Sequence, residues 1–310
     1  MTEKNNSKSG FIAPHILKTA VLFLVFNRFD TTKQVFEAIR EAKPPRLYIA
    51  ADGARETKEG EKEKVQAVRD YIIKNIDWEC EVKTLFREQN LGCKMAVSSG
   101  IDWFFQNEEM GIILEDDILP SQSFFWFCEE LLDRYKDDMR VGQISGFNYG
   151  YKDANLNYDY IFSKYPVIWG WASWKNRWKN YSLSMDNLEE TIRNKQFSLI
   201  FKKSELIKRI NRFRKAKENK IDTWDYQWAF TLYKNSQFTI IPKRNYILNI
   251  GFGNDSTHTS GGNPYKSLSL DDNYVVMKHP DYIVQHKNLD KKINKSSNII
   301  QRIINKVNIS

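Results

Sequence analysis

Residues 20–28, AVLFLVFNR, form an unbroken apolar run that ends on Asn27 and Arg28. A run without polar alternation predicts a strand covered on both faces. In the segment from Asp30 to Ala42 the apolar residues Val35, Phe36 and Ile39 fall at helical spacing. Asp30 or Thr31 offers an N-cap, so a helix follows. The pattern then repeats: a strand at 46–54 ending in Asp52-Gly53, a helix at 62–76, a strand at 80–88, a helix at 93–107 and a strand at 110–117. The last of these runs without a spacer into Glu115, Asp116 and Asp117. Strands alternating with helices predict an α/β fold: a mostly parallel central sheet, helices on both faces and right-handed crossovers. Ligands of such sheets bind beyond the carboxyl ends of the strands, where strand order reverses. Asn27-Arg28, Asp52-Gly53, Arg87 and the acidic triplet fall at those ends.

Beyond residue 118 the alternation stops. A helix is expected over Ser121–Asp137, with Ser121 as N-cap, and a strand and loop over 141–150. An aromatic stretch at 165–181 precedes a basic helical segment near 186–219. Helix, strand and a loop rich in Gly, Ser, Thr and Asn then complete the pattern to residue 265. No repeat and no low-complexity linker cuts the chain, so one domain with an elaborated mixed C-terminal half is expected over 20–280. Residues 1–19 read as a polar leader and 281–310 as a basic tail.

Composition narrows the picture. Of 310 residues 41% are hydrophobic, enough for a sizeable core, and aromatics reach 14% with nine Trp. Surplus indoles either stack on flat or sugar-like ligands or fill a Trp-rich core. The net charge of +8 and pI near 9.1 favour anionic partners. The excess gathers at 201–220 and 286–310, runs that also suit solvated helix faces. There is no RNP pattern, zinc knuckle or Gly-Arg repeat, and acids rather than bases crowd the strand ends, so a nucleic-acid partner is not expected. Cys80, Cys93 and Cys128 are isolated, without a CxxC pair, which fits a reducing, cytoplasmic setting. The first residues lack a secretory apolar core, and no run approaches the ~18 residues that span a bilayer. A soluble or peripheral protein is expected.

Three adjacent acids after an apolar strand call for positive charge, because unpaired buried carboxylates cost several kcal/mol. Mg2+ or Mn2+ takes only one or two carboxylates and completes its shell with water and phosphate oxygens, so a metal-bridged diphosphate is one answer. Helix capping or a surface position for the acids is the other. The segment ILEDDILPSQSFFWFCEELL resembles the metal-binding signature of GT-A glycosyltransferases. It is similar in particular to the N-acetylglucosaminyltransferase I branch, whose variant of Asp-X-Asp is Glu-Asp-Asp. IWGWASWKNRWKNY also resembles bacterial nucleotide-sugar transferases related to that branch. The resemblance covers roughly residues 20–260 and is loose between motifs.

That resemblance implies a GT-A, Rossmann-like fold with a nucleotide-binding half at 20–117 and an acceptor half at 118–280. It implies inverting, metal-dependent transfer of a sugar from a nucleotide-diphosphate donor, such as a UDP-sugar and among these UDP-GlcNAc, to a hydroxyl of a glycan or glycolipid. By matched position, Arg28 contacts the nucleotide, Asp52 the uracil, and Asp117 the metal, Mn2+ or Mg2+. Glu115 and Asp116 take donor-sugar and ribose hydroxyls. Asp225 of WDYQW is the catalytic base, although Asp222, one turn earlier, either shares its face or caps the helix. A donor-contacting His of the family has no counterpart in NLGCKMAVSSG, where Lys94 is placed to face the diphosphate instead. Trp171 and Trp224 suit a sugar platform or the core. His258 suits a lid or a solvent-facing loop. IIQRIINKVN has the spacing of an interfacial helix, so the basic tail offers peripheral contact with an anionic membrane, and a lipid-linked saccharide is a candidate acceptor. A sugar nucleotidyltransferase is the rival enzyme, but FNRFDTTKQ lacks the glycine-rich loop such enzymes carry after the first strand.

Overall fold

The computed structural model describes residues 11–252, 265, 267–273 and 277–296. The first half follows the expected alternation: β1 (Val21–Val25), α1 (Phe29–Ala42), β2 (Arg46–Ala51), α2 (Glu61–Lys74), β3 (Glu81–Phe86), α3 (Gly92–Asn107) and β4 (Met110–Glu115). All five residues of β1 are buried, as an apolar run without alternation requires. Their side chains divide with the period of two that a pleated strand imposes. Val21, Phe23 and Val25 join one hydrophobic layer with Val35, Phe36 and Ile39 of α1. Leu22 and Leu24 join the other with Ile101, Phe104 and Phe105 of α3. In β4, Ile112 and Leu114 face the first layer and Ile113 the second. The sheet is therefore sandwiched, and polar chemistry is pushed to its ends.

The second half adds β5 (Ile118–Pro120), α4 (Gln122–Arg134), β6 (Val141–Ser145), β7 (Tyr160–Ser163), β8 (Trp171–Trp174), α5 (Lys175–Trp178), α6 (Leu188–Arg193), α7 (Lys203–Lys217), α8 (Asp225–Lys234), β9 (Phe238–Pro242) and β10 (Ile247–Asn249). The eight-stranded sheet has the order β3-β2-β1-β4-β8-β6-β9-β7. β1 pairs in parallel with both β2 and β4, so the strand order reverses between β1 and β4. In this sheet β7 and β8 run against the other strands. The mostly parallel α/β class holds, with β8, from the aromatic stretch, inserted antiparallel beside β4.

A separate ladder of β5 and β10 pairs Ile118 with Asn249 directly after the acidic triplet. At the far end, residues 287–296 are helical and bury Leu289 and Ile293. The Asp290 carboxylate accepts from Ser163 Oγ at 2.6 Å. The start of the segment expected as a basic tail is thus packed onto the domain, and IIQRIINKVN lies outside the described residues. Among the described residues no helix is long and apolar enough to cross a membrane.

Candidate active site

The acidic triplet sits at the carboxyl end of β4, beside β1 and at the strand-order reversal. Its first countercharge comes from the protein itself. The Arg28 backbone is fixed at the start of α1, where its carbonyl accepts from Thr32 N (3.0 Å) and Thr32 Oγ1 (2.6 Å). Its guanidinium donates to Asp117 Oδ2 at 2.8 Å and pairs through Nη2 with Asp116 Oδ1. Asp116 is 3% exposed. Burial pushes its carboxyl above the ordinary range, and Arg28 opposes that shift. Glu115 is half-buried, and among the described residues no hydrogen bond reaches its carboxyl. Enclosure raises its pKa, and the charges of Asp117 and Asp116 raise it further against Arg28. Asp225, the first residue of α8, adds its charge to the same effect. Three acids and one guanidinium leave an excess of negative charge at the mouth of the sheet.

A divalent cation fits that excess. Among the described residues no three His, Cys, Asp or Glu side chains form a ready-made cage. Asp117 is the candidate ligand, with its side chain 16% exposed and Arg28 on one oxygen.

The segment after β10 closes over Asp117, a contact the sequence did not signal beyond its Gly-rich character. Ile250 N donates to the Asp117 carbonyl at 2.9 Å. Gly251 N donates to Asn249 Oδ1 at 2.9 Å. A Cβ at Gly251 would lie 2.1 Å from Asp117 Oδ2 and 2.8 Å from Asp117 Cβ. Only glycine lets the backbone pass this close to the carboxylate. Gly251→Ala is therefore expected to push Asp117 or this backbone aside and to cost about 1–3 kcal/mol by urea unfolding, the usual range for overpacking. His258, farther along this loop, lies outside the described residues.

Asp52, at the end of β2, is used to build the loop between β3 and α3. Its carboxylate accepts from Gly53 N (3.0 Å), Leu91 N (3.0 Å), Gly92 N (3.1 Å) and Asn90 Nδ2 (3.0 Å). Burial raises its pKa, opposed by the three backbone N–H groups. Asp222 reaches the same loop from 129 residues away: Cys93 N and Lys94 N donate to it at 3.0 and 2.9 Å. It therefore caps α3, not α8, and its two oxygens are held by that helix N-terminus. Asp52→Ala is expected to cost about 3 kcal/mol by urea unfolding, since buried N–H groups lose a charged acceptor. Asp222→Ala should cost about 1 kcal/mol, the usual loss of a cap.

Lys94 differs from expectation, and the two tryptophans take the core position of their two readings. Lys94 is buried, and its ammonium donates to Asn219 Oδ1 (2.8 Å) and Ala216 O (3.4 Å) at the end of α7, instead of facing the carboxylates. Trp171 and Trp224 are 0% and 2% exposed and stack on each other at 5.6 Å. They form an indole core with Trp178 and Trp228. With both faces covered they offer no sugar platform. Half-buried Trp169, at the other side of Gly170, instead lines a cavity of about 270 Å³ that also contains Asp225, Tyr226 and Arg212. Arg212 lies in the basic run 201–220 and Tyr226 in WDYQW, but nothing local in the sequence marks either one individually.

No protein-family model matches the chain. No characterised protein matches its sequence. Among solved structures it is similar to a mannosyltransferase from Pyrobaculum calidifontis in complex with GDP-Man and Mn2+, at 10% identity and a TM-score of 0.34, over 54% of this chain and 47% of that one. It is similar to the glycosyltransferase GlyE of Streptococcus pneumoniae at 13% identity and a TM-score of 0.34, over 72% of this chain and 45% of that one. It is similar to HddC from Yersinia pseudotuberculosis at 11% identity and a TM-score of 0.32, over 53% and 80%. The match thus spans about half the length of the mannosyltransferase and of GlyE.

Proposed function

We propose that the chain is an inverting, metal-dependent glycosyltransferase of the GT-A type. It moves a sugar from a nucleotide-diphosphate donor, a UDP-sugar such as UDP-GlcNAc, to a hydroxyl of a glycan or lipid-linked saccharide in the cytoplasm. One observation carries this reading: an acid-rich step at the β1/β4 switch point is countered by Arg28 alone among the described residues.

Each residue has a role that its position supports. Asp117, held in place by the passage of Gly251, is the metal ligand. Held there, a divalent cation would supply Lewis-acid charge neutralisation for a leaving diphosphate. Asp116, locked to Arg28, keeps that guanidinium at the nucleotide side of the cleft. Glu115, free of described hydrogen bonds, accepts from donor-sugar hydroxyls. Asp52 shapes the base-binding end through the loop it holds. Asp225 accepts from Thr223 Oγ1 through Oδ1 and stands at the positive end of the α8 dipole. It takes the proton of the acceptor hydroxyl as that oxygen bonds to C1. The C1–phosphate bond breaks on the opposite face, and the diphosphate leaves with the electron pair.

A thermal-shift screen of nucleotide sugars with and without Mn2+ tests this. Ligand at 100 times its Kd stabilises by about 2.7 kcal/mol, so UDP-sugars should raise the Tm by several degrees in Mn2+ and much less in EDTA. No shift with any nucleotide sugar would contradict the reading.

A further inference from the structure

The cavity beside Asp225 has a composition that the donor site does not explain. It is walled by α7, α8 and residues 165–169, with Tyr149 and Ile293, and none of its lining residues belongs to the ends of β1, β2 or β4. Two arginines one turn apart on α7 enter it, Arg209 and Arg212. Arg209 is fully engaged. It donates to Glu205 Oε1 and to Tyr233 OH, both at 2.9 Å, and its guanidinium lies 4.7 Å from the Tyr165 ring and 4.8 Å from the Phe201 ring. Arg212 is half-buried and, among the described residues, has neither a hydrogen bond nor an ion pair. Its charge still acts on the cavity wall, where it opposes the burial-driven rise of the Tyr226 phenol.

A guanidinium partly withdrawn from water and, among the described residues, not paired with a carboxylate is a docking point for an anion, because its fork of N–H donors matches phosphate and carboxylate oxygens. Trp169 and Tyr226 add aromatic surface suited to the C–H face of a sugar ring. At about 270 Å³ the cavity is below the size of a drug-sized site and matches a single hexose-scale ring. Asp225 in the same wall would meet a hydroxyl of that ring.

We infer that this cavity is an acceptor subsite selecting a sugar that carries an anionic group, phosphate or carboxylate, with Arg212 as the residue that recognises it. The inference rests on the role proposed for Asp225, but binding at the subsite requires neither metal nor transfer.

Calorimetric titration of the full chain with N-acetylglucosamine, N-acetylglucosamine 1-phosphate and glucuronic acid tests it, with UDP and Mn2+ titrated in parallel. One or both charged sugars should bind about 10-fold tighter than the neutral one, and the tighter of the two identifies the anionic group. Arg212→Gln should abolish that preference and Arg212→Lys keep part of it, with UDP affinity in Mn2+ unchanged in both variants. Equal binding of charged and neutral sugars, no binding of either charged sugar, or a preference that survives in Arg212→Gln would overturn the subsite. A charged-sugar preference without any UDP binding would refute the glycosyltransferase reading and leave the subsite standing. UDP binding without the preference would refute the subsite alone.

Discussion

Asp225→Asn is expected to lower sugar transfer by about 10²–10⁴-fold while leaving UDP affinity in Mn2+ unchanged, the range that loss of a general base produces. The amide keeps the size of the carboxylate and its acceptor for Thr223 Oγ1, so the start of α8 is preserved. What disappears is a group able to take the acceptor proton. Asp222→Asn is the control. Its oxygens serve the amides of Cys93 and Lys94 at the start of α3, so it should lose stability and keep most of its turnover. Full turnover in Asp225→Asn, measured as UDP release with acceptor present, would remove Asp225 as the base.

Arg28→Gln should have the largest effect on stability. Asp116, with its side chain 4% exposed, and Asp117 share this one guanidinium. Breaking a buried pair by removing one partner costs about 3–5 kcal/mol, because the other charge stays uncompensated. The sign of the pH dependence follows. Burial already holds the carboxyls of Asp116 and Glu115 above their ordinary values, and Arg28 opposes the shift in both. Without Arg28 the folded state keeps protons that the unfolded chain has released. The unfolded chain then binds fewer protons, so stability falls as pH rises above the ordinary carboxylate range. Urea midpoints should therefore separate variant from wild type more at pH 8 than at pH 5, and Mn2+ should narrow the gap at pH 8. A gap independent of pH would show that Arg28 acts through packing instead of charge.

The parallel half of the fold was legible because its signals are local. Unbroken apolar runs such as 21–25 alternate with helical spacing such as Val35, Phe36 and Ile39, and the strand ends follow from where the runs stop. The acidic triplet was legible for the same reason. Features that depend on contacts between distant segments were not. Asp222 reads locally as a cap of its own helix, yet it serves one 129 residues earlier. Trp171 and Trp224 read as platform or core until β8 pairs antiparallel with β4, which lays the indole of Trp171 against that of Trp224. Lys94 reads as a free cation beside the site, but the end of α7 supplies its partners. The passage of Gly251 over Asp117 depends on β10 pairing with β5, and a three-residue ladder leaves no periodicity to detect.

Calorimetric titration of UDP into wild type and Asp117→Ala, each in Mn2+ and in EDTA, decides most directly whether the acidic step is a metal-dependent nucleotide site. Wild type should bind UDP at least about 10-fold tighter in Mn2+ than in EDTA, and Asp117→Ala in Mn2+ should fall to the EDTA level. Equal affinity with and without metal in the wild-type chain would contradict the assignment of Asp117 and, with it, the metal-dependent reaction.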